Sequence, residues 1–270
     1  MARFSDQYGP WALITGASSG IGEAFARQIA ARGVSVALVA RRGDRLQAIA
    51  DDIETETKSR ALAIAADLTD EHGLDTILEA LDLRHIGLLV NNAGAGQTGR
   101  FLDHALDDEL ATLALNCRAP LKLTHHFGRA MRAEGRGGII MLASIAGILP
   151  SPEFAGYSAT KAWNRFLGEA LHAELADSGI DVVSLCPGLT QSEFFDKVNF
   201  DPSGWPWPLR AGAILSADEV ARAGLRGLGR TSQVVPGLSY RWLMRAGRMA
   251  PSGMPPWLTE RVMRLALPKK

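Results

Sequence analysis

The chain has 270 residues with 29 Lys and Arg against 29 Asp and Glu, a formal net charge of zero, so no basic surplus points to nucleic acid or another polyanion. Its length suits one large α/β domain with a substantial core. Nowhere do eighteen apolar residues run together, MARFSDQYGP carries no stretch of signal-peptide length, and the two cysteines, Cys117 and Cys186, fall in apolar segments. The expectation is a cytosolic protein with packed thiols and no disulfide framework.

In chain order, the first strand candidate is Ala12–Thr15 in W-A-L-I-T, which runs straight into G-A-S-S-G-I-G, Gly16 to Gly22. Ile21, Phe25 and Ile29 follow at helical spacing, so the segment reads as strand, glycine turn, helix. Gly16 permits the sharp turn, Gly20 lets the backbone approach a pyrophosphate, and Gly22 allows helix to pack closely on strand. The helix N-terminus turns its free N–H groups toward the phosphates. An ordinary glycine-rich loop would lack that flanking strand and helix.

The second strand candidate, Ser35–Ala40, ends in Ala40-Arg41-Arg42. An acidic residue at this strand end accepts hydrogen bonds from the adenosine ribose of NAD and repels the 2'-phosphate of NADP. Here the position is an alanine followed by two arginines, which could pair with that phosphate, and NADP is the expected cofactor. Two solvated surface arginines are the alternative. Further strand candidates are Ala61–Ala66, Leu88–Asn91, Gly138–Ala143, Val182–Cys186 and Gln233–Val235, with amphipathic segments between most of them. Strands separated by helices imply parallel pairing through right-handed crossovers, with ligands bound outside the carboxyl ends of the strands.

Tyr157 and Lys161 stand four residues apart in Y-S-A-T-K, with Ser144 thirteen residues upstream. Positions i and i+4 share a helix face, so the Lys161 ammonium should favour the phenolate and lower a side chain that normally titrates at about 10. A tyrosine and a lysine on a solvated face show the same spacing, and a serine after a strand can simply start a turn. The glycine loop gives the trio its meaning.

Together, T-G-A-S-S-G-I-G (Thr15 to Gly22), N-N-A-G (Asn91 to Gly94) and Ser144, Tyr157 and Lys161 in S…Y-x-x-x-K resemble the short-chain dehydrogenase/reductase family in motif, order and spacing. The resemblance covers Trp11 to about Ser192. It implies a single Rossmann-type, doubly wound, mainly parallel seven-stranded α/β sheet with helices on both faces. It also implies an NADP-dependent reductase of a ketone or aldehyde, or in reverse a secondary alcohol dehydrogenase. By this resemblance Tyr157 is the general acid/base, assisted by Ser144, Lys161 and Asn116, whose side chain holds a water leading to Lys161. Pro120, four residues after Asn116, would strain the helix there and could expose carbonyls to that water. Cofactor contacts are implied at Ser18, Ser19, Gly20 and Ile21, at Arg41 as the main clamp with Arg42, and at Asp67 and Leu68 around the adenine. They continue at Asn91, Ala93 and Gly94 beside the ribose, and at Pro187, Gly188, Thr190 and Ser192 near the nicotinamide. Tyr157 and Lys161 also belong to this set.

Substrate information falls in Ile148–Gly156 and Glu193–Leu209, rich in aromatic, aliphatic and proline residues. Such a pocket suits a hydrophobic small-molecule carbonyl and has little to grip a phosphate or carboxylate. Ser144, Ile145, Phe154, Tyr157, Phe194, Phe195 and Trp205 are the expected contacts, although Trp205 and Trp207 could instead pack a lid or a subunit contact. The six histidines show no metal-ligand spacing, and hydride chemistry needs no metal. The division expected is a catalytic domain over 1–237, with a substrate loop at about 193–215, and a basic amphipathic extension over 238–270. That extension could cap the cleft or pack on a subunit, or make a weak peripheral membrane contact. The family resemblance implies a homodimer or homotetramer built on the helices carrying Asn116 and Tyr157. The competing reading is a non-catalytic NADP-binding redox sensor, which has no need of the proton relay.

Overall fold

A computed structural model describes residues 3–148, 150–191, 193 and 214–242. Seven parallel strands form one sheet in the order β3-β2-β1-β4-β5-β6-β7. They are β1 (Trp11–Thr15), β2 (Ser35–Ala40), β3 (Ala61–Ala65), β4 (Ile86–Asn91), β5 (Gly137–Leu142), β6 (Ile180–Leu185) and β7 (Gln233–Val234). Every strand candidate is present, with ends moved by one or two residues. The order reverses at β1, which pairs with β2 on one side and β4 on the other, and the crevice at that switch point is where such sheets bind ligands.

The central strands are apolar on both faces because both faces are covered. In chain order the α-helices among the described residues are α1 (Phe4–Tyr8), α2 (Gly20–Ala30), α3 (Gly43–Glu56), α4 (Glu71–Leu81), α5 (Leu106–Leu113), α6 (Ala119–Glu134), α7 (Ala155–Glu174) and α8 (Ala217–Gly227). Ile14, Leu38, Val90 and Val183 pack with Phe25 and Ile29 of α2, Leu46 and Ile53 of α3, and Val220 and Leu225 of α8. Their strand neighbours Leu13, Val39, Leu89 and Val182 point the other way, to Leu74 and Ile77 of α4, Phe127 and Met131 of α6, and Trp163 and Leu167 of α7. Successive strand residues thus serve opposite layers, as the two-residue repeat of the strand requires.

Between α5 and α6, Ala114–Arg118 form a π-helical turn in which the N–H of Ala119 donates to the Ala114 carbonyl. Pro120 explains the defect. It has no N–H for the Asn116 carbonyl four residues earlier, and Asn164 Nδ2 on α7 donates to that carbonyl instead, at 2.8 Å. The expected distortion is therefore present, and the freed carbonyl accepts a hydrogen bond from a side chain. Asn116 itself is fully buried.

Beyond β7 the chain returns to the loop after β6. Tyr240 is 4% exposed, and its hydroxyl accepts the N–H of Leu189 at 3.0 Å. The first residues of the expected extension are thus docked against the loop that follows β6; residues 243–270 lie outside the described set. No helix among the described residues is long and apolar enough to cross a membrane.

Helix α7 approaches the sheet closely at Gly168, where a Cβ would overlap Ser184 Oγ and stand 3.1 Å from Met141 Cγ. Alanine is the better helix former by about 1 kcal/mol, yet overpacking a close contact costs about 1–3 kcal/mol. Gly168→Ala should therefore lower unfolding stability by roughly 1 kcal/mol. Urea denaturation checks this, and a variant more stable than wild type would show that the contact is slack.

Candidate active site

A cleft of about 590 Å³ opens where β1, β4, β5 and β6 end. The glycine turn forms its floor. Gly16 and Gly20 have φ of 66° and 57°, values that favour glycine. At Gly22 a Cβ would overlap the Gly16 carbonyl, so helix α2 can start against the turn only with hydrogen there. Gly16, Ser18, Ser19, Gly20 and Ile21 all line the cleft, whereas Gly22 is buried beneath it. The cradle is held from the far side by Asn92, whose Nδ2 donates to the Thr15 carbonyl at 2.8 Å and the Gly16 carbonyl at 3.2 Å. Thr15 Oγ1 returns the link by accepting from the N–H groups of Asn92 and Ala93, both at 3.0 Å.

This corrects one expectation. Asn91 does not line the cleft; its Nδ2 donates to Thr124 Oγ1 at 2.9 Å inside the core, because alternation along β4 turns it away. Asn92, the second asparagine of the same motif, takes its place, together with Ala93, Gly94 and Ala95.

At the end nearest β2, Arg41 and Arg42 both line the cleft beside Asp67 and Leu68. Arg41 is 75% exposed in its side chain and stands 4.0 Å from Asp67. Arg42 is the braced one. Its Nη2 donates to Ser18 Oγ at 3.0 Å and Ser19 Oγ at 3.1 Å, which prepares an anion site of guanidinium and hydroxyls. Burial works to raise the Asp67 carboxyl, but bonds from the Thr69 N–H and hydroxyl, with Arg41 nearby, hold it below the ordinary value. Asp67 is not the cap of α4; Asp70 fills that role by accepting from Gly73.

The other end is buried. Tyr157 and Lys161 project from one face of α7, Ser144 follows β5, and all three line the cleft. The Tyr157 ring stacks on Phe154 with centroids 4.4 Å apart and lies against Gly96, where a Cβ would stand 2.6 Å from Cδ2. Phe154 is thus a support for Tyr157, not a wall of the cleft, because stacking buries it to 6% exposure. Ile145 also stays outside the cleft lining, its N–H donating to the Pro187 carbonyl at 3.0 Å. Lys161 Nζ donates to the Leu142 carbonyl at 2.8 Å and sits 5.7 Å from the Tyr157 ring centroid. Asn116 lies behind this group. Its Nδ2 donates to the Ala95 carbonyl at 2.8 Å and to Thr160 Oγ1 at 2.9 Å, and its Oδ1 accepts from the Ala95 N–H at 3.0 Å. Both N–H bonds of that amide go to protein partners, so the side chain ties α5–α6 to the cleft wall and to α7.

Pro187, Gly188 and Thr190 complete the rim. Gly188 must be glycine, since a Cβ would overlap the Tyr240 ring. Ser192, Phe194, Phe195, Trp205 and Trp207 lie outside the described residues.

The short chain dehydrogenase family model matches residues 10–202. The chain belongs to that family. Among similar proteins, the rat 17-beta-hydroxysteroid dehydrogenase type 3 is 35% identical over 187 residues, which is 68% of this chain and 61% of the rat protein's length. A solved 7beta-hydroxysteroid dehydrogenase superposes with a TM-score of 0.86 at 26% identity, covering 97% of this chain and 100% of the other. A short-chain dehydrogenase from Sphingobium yanoikuyae in complex with NADPH gives 0.79 at 33% identity, covering 89% and 93%.

In this short-chain dehydrogenase the electrostatics of the buried end depart from expectation. Burial pushes the Tyr157 phenol up to about 12, with a hydrogen bond from Ser144 pulling it the other way. Burial brings the Lys161 ammonium down to about 8, against the smaller opposing influence of Cys117 and Cys186. The predicted acidification of Tyr157 by Lys161 is not what these surroundings produce, because both groups are desolvated and Nζ is directed at the Leu142 carbonyl. At neutral pH the phenol is the protonated, donating form.

Sequence reasoning missed Asn92, Arg45, Glu193 and Tyr240. The doubled asparagine of N-N-A-G signalled the first. The others act across more than a hundred residues of sequence, or sit in a segment read as an extension, and nothing local marks them.

A lysine whose folded value is about 8, against 10.5 ordinarily, binds fewer protons than the unfolded chain between those two values. Stability then rises with pH through that window, and the full penalty of the buried charge applies below pH 8. Lys161→Met should therefore be more stable than wild type at pH 7, by about 2 kcal/mol, with the gap narrowing by pH 10. Urea titrations of nucleotide-free protein at the two pH values check it; a gap that widens with pH would reverse the assignment.

Proposed function

We propose that this oxidoreductase reduces a hydrophobic ketone or aldehyde with NADPH, or oxidises the corresponding secondary alcohol with NADP, using Tyr157 as the proton-transferring group. One observation carries the reading: the glycine cradle and the Tyr157, Ser144 and Lys161 trio line one continuous cleft. The cradle fits a dinucleotide, since Gly16 and Gly20 form a positive-φ turn that opens onto the start of α2, where backbone N–H groups can meet a diphosphate, and Arg42, Ser18 and Ser19 fit a 2'-phosphate. Gly94, Lys161, Pro187, Gly188 and Thr190 would hold the nicotinamide half. The nucleotide supplies the hydride.

The protein's part is to manage the substrate oxygen. Ser144 and Tyr157 direct hydroxyls to one place in the cleft, and their hydrogen bonds strengthen as charge grows on that oxygen. Tyr157, protonated at neutral pH, then gives up its proton. Lys161 would hold the nucleotide's ribose beside Tyr157, and Asn116 fixes the walls between which Lys161 sits. The similarity to two hydroxysteroid dehydrogenases favours a bulky apolar substrate. A redox sensor would not need these hydroxyls aligned.

Oligomerisation is part of the proposal. Leu106, Leu110 and Leu113 on α5 are 71%, 52% and 51% exposed, and Phe166 on α7 is 64% exposed. These apolar residues lie on the helical layer that carries the site, and they support a homodimer through it. The buried free thiols Cys117 and Cys186 accord with a reducing compartment such as the cytoplasm.

Assay of hydrophobic ketones and aldehydes with NADPH and with NADH, followed at the cofactor absorbance, should show turnover favouring NADPH. Tyr157→Phe should lower kcat by roughly 10²–10⁴-fold while leaving NADPH affinity within about twofold. Undiminished turnover in that variant removes Tyr157 as the acid. Phe166→Asp should shift the protein toward monomer in sedimentation velocity, and an unchanged sedimentation coefficient would place the contact elsewhere.

A further inference from the structure

Glu193 connects two distant parts of the cleft mouth. It follows the β6 end and lines the same cleft as the glycine turn, yet its carboxylate is held by side chains from the β2 end. Its Oε1 accepts from Arg45 Nη1 at 2.8 Å and from Arg42 Nη1 at 3.4 Å. Its Oε2 stands 3.1 Å from Arg42 Nη2 and accepts from Ser19 Oγ at 3.4 Å. Two guanidinium groups and a hydroxyl converging on paired oxygens make the ligand set of a phosphate.

We propose that Glu193 is an internal competitor for the 2'-phosphate of NADP, a carboxylate seated in the arginine and serine site that the phosphate itself must enter. The inference rests on the NADP reading above and adds a specificity element to it. A phosphate dianion and the Glu193 carboxylate cannot share these donors, because like charges at such separation repel. NADP must therefore displace Glu193, whereas NAD, without the 2'-phosphate, leaves the carboxylate where it is. Glu193 thus lowers NADP affinity selectively and narrows the preference that Arg42 and Arg45 create. The side chains of Arg42, Arg45 and Glu193 are 43%, 45% and 34% exposed, so solvent and salt weaken the pairing and the barrier is modest.

The test is calorimetric titration of wild type, Glu193→Gln and Glu193→Ala with NADP and with NAD at low salt. Both variants should bind NADP about threefold tighter or more with NAD affinity unchanged, and the gain should shrink as salt is raised. Unchanged or weaker NADP binding in both variants overturns the proposal, as does an equal gain for the two nucleotides, which would make Glu193 a general charge effect on the cleft. A wild type that binds NADP no better than NAD, with Arg42→Ala causing no loss, would instead sink the parent reading and this one with it.

Discussion

An ammonium group withdrawn from water governs the arrangement of this molecule. Lys161 is 3% exposed, and a buried charge is tolerated only where polar partners replace the lost hydration. The Leu142 carbonyl at the end of β5 supplies one such partner. Placing Nζ there requires α7 to lie nearly on the sheet, which explains the small residues along its contact. A Cβ at Gly147 would stand 2.5 Å from the Lys161 carbonyl carbon, and one at Gly94 would stand 3.1 Å from Nζ. The buried end of the cleft is closely packed around that charge.

The two ends of the cleft are governed by different electrostatics. At the β2 end Arg41, Arg42, Arg45 and Glu193 are partly solvated, so their interactions are weak, screened and exchangeable. At the α7 end Tyr157 and Lys161 are desolvated, and burial moves both away from their charged forms. A ligand bound across the whole cleft therefore meets an adaptable anion site first and a fixed hydrogen-bonding site second. That division suits a fold in which one kind of cofactor must be held reversibly while different substrates are processed with the same geometry.

Much of this was legible in the chain because it is local. The glycine turn, the seven strands and the Tyr157–Lys161 face follow from spacing of two, three or four residues, and such periodicities are fixed by backbone geometry. Legibility failed where a long-range choice decided the outcome. Asn91 and Asn92 are chemically identical, and only the face on which β4 buries its side chains separates the core residue from the brace of the glycine turn. Phe154 looked like a pocket residue because it is aromatic and precedes the helix that carries Tyr157, yet it is used as the bed of Tyr157. Spacing placed Lys161 near Tyr157 correctly but carried no information on desolvation, so the direction of the Tyr157 shift came out reversed. Glu193 could not be linked to Arg42 by any local pattern, since 151 residues separate them.

The π turn shows how one backbone defect is converted into order. Pro120 removes a helical donor, which left alone would cost the Asn116 carbonyl its partner in a fully buried place. Asn164, one turn beyond Lys161 on α7, fills the gap and donates at 2.8 Å to that carbonyl and at 3.0 Å to the Thr160 carbonyl. Thr160 in turn accepts from the Asn116 amide and donates to the Tyr157 carbonyl at 2.7 Å. The result is a closed set of bonds joining α5–α6, α7 and the β4 loop around Lys161. Removing the proline would restore a helical hydrogen bond yet leave the Asn164 amide in competition for the same carbonyl. The irregular turn is therefore the conformation in which the Asn116 carbonyl and the side chains of Asn116, Thr160 and Asn164 all have partners.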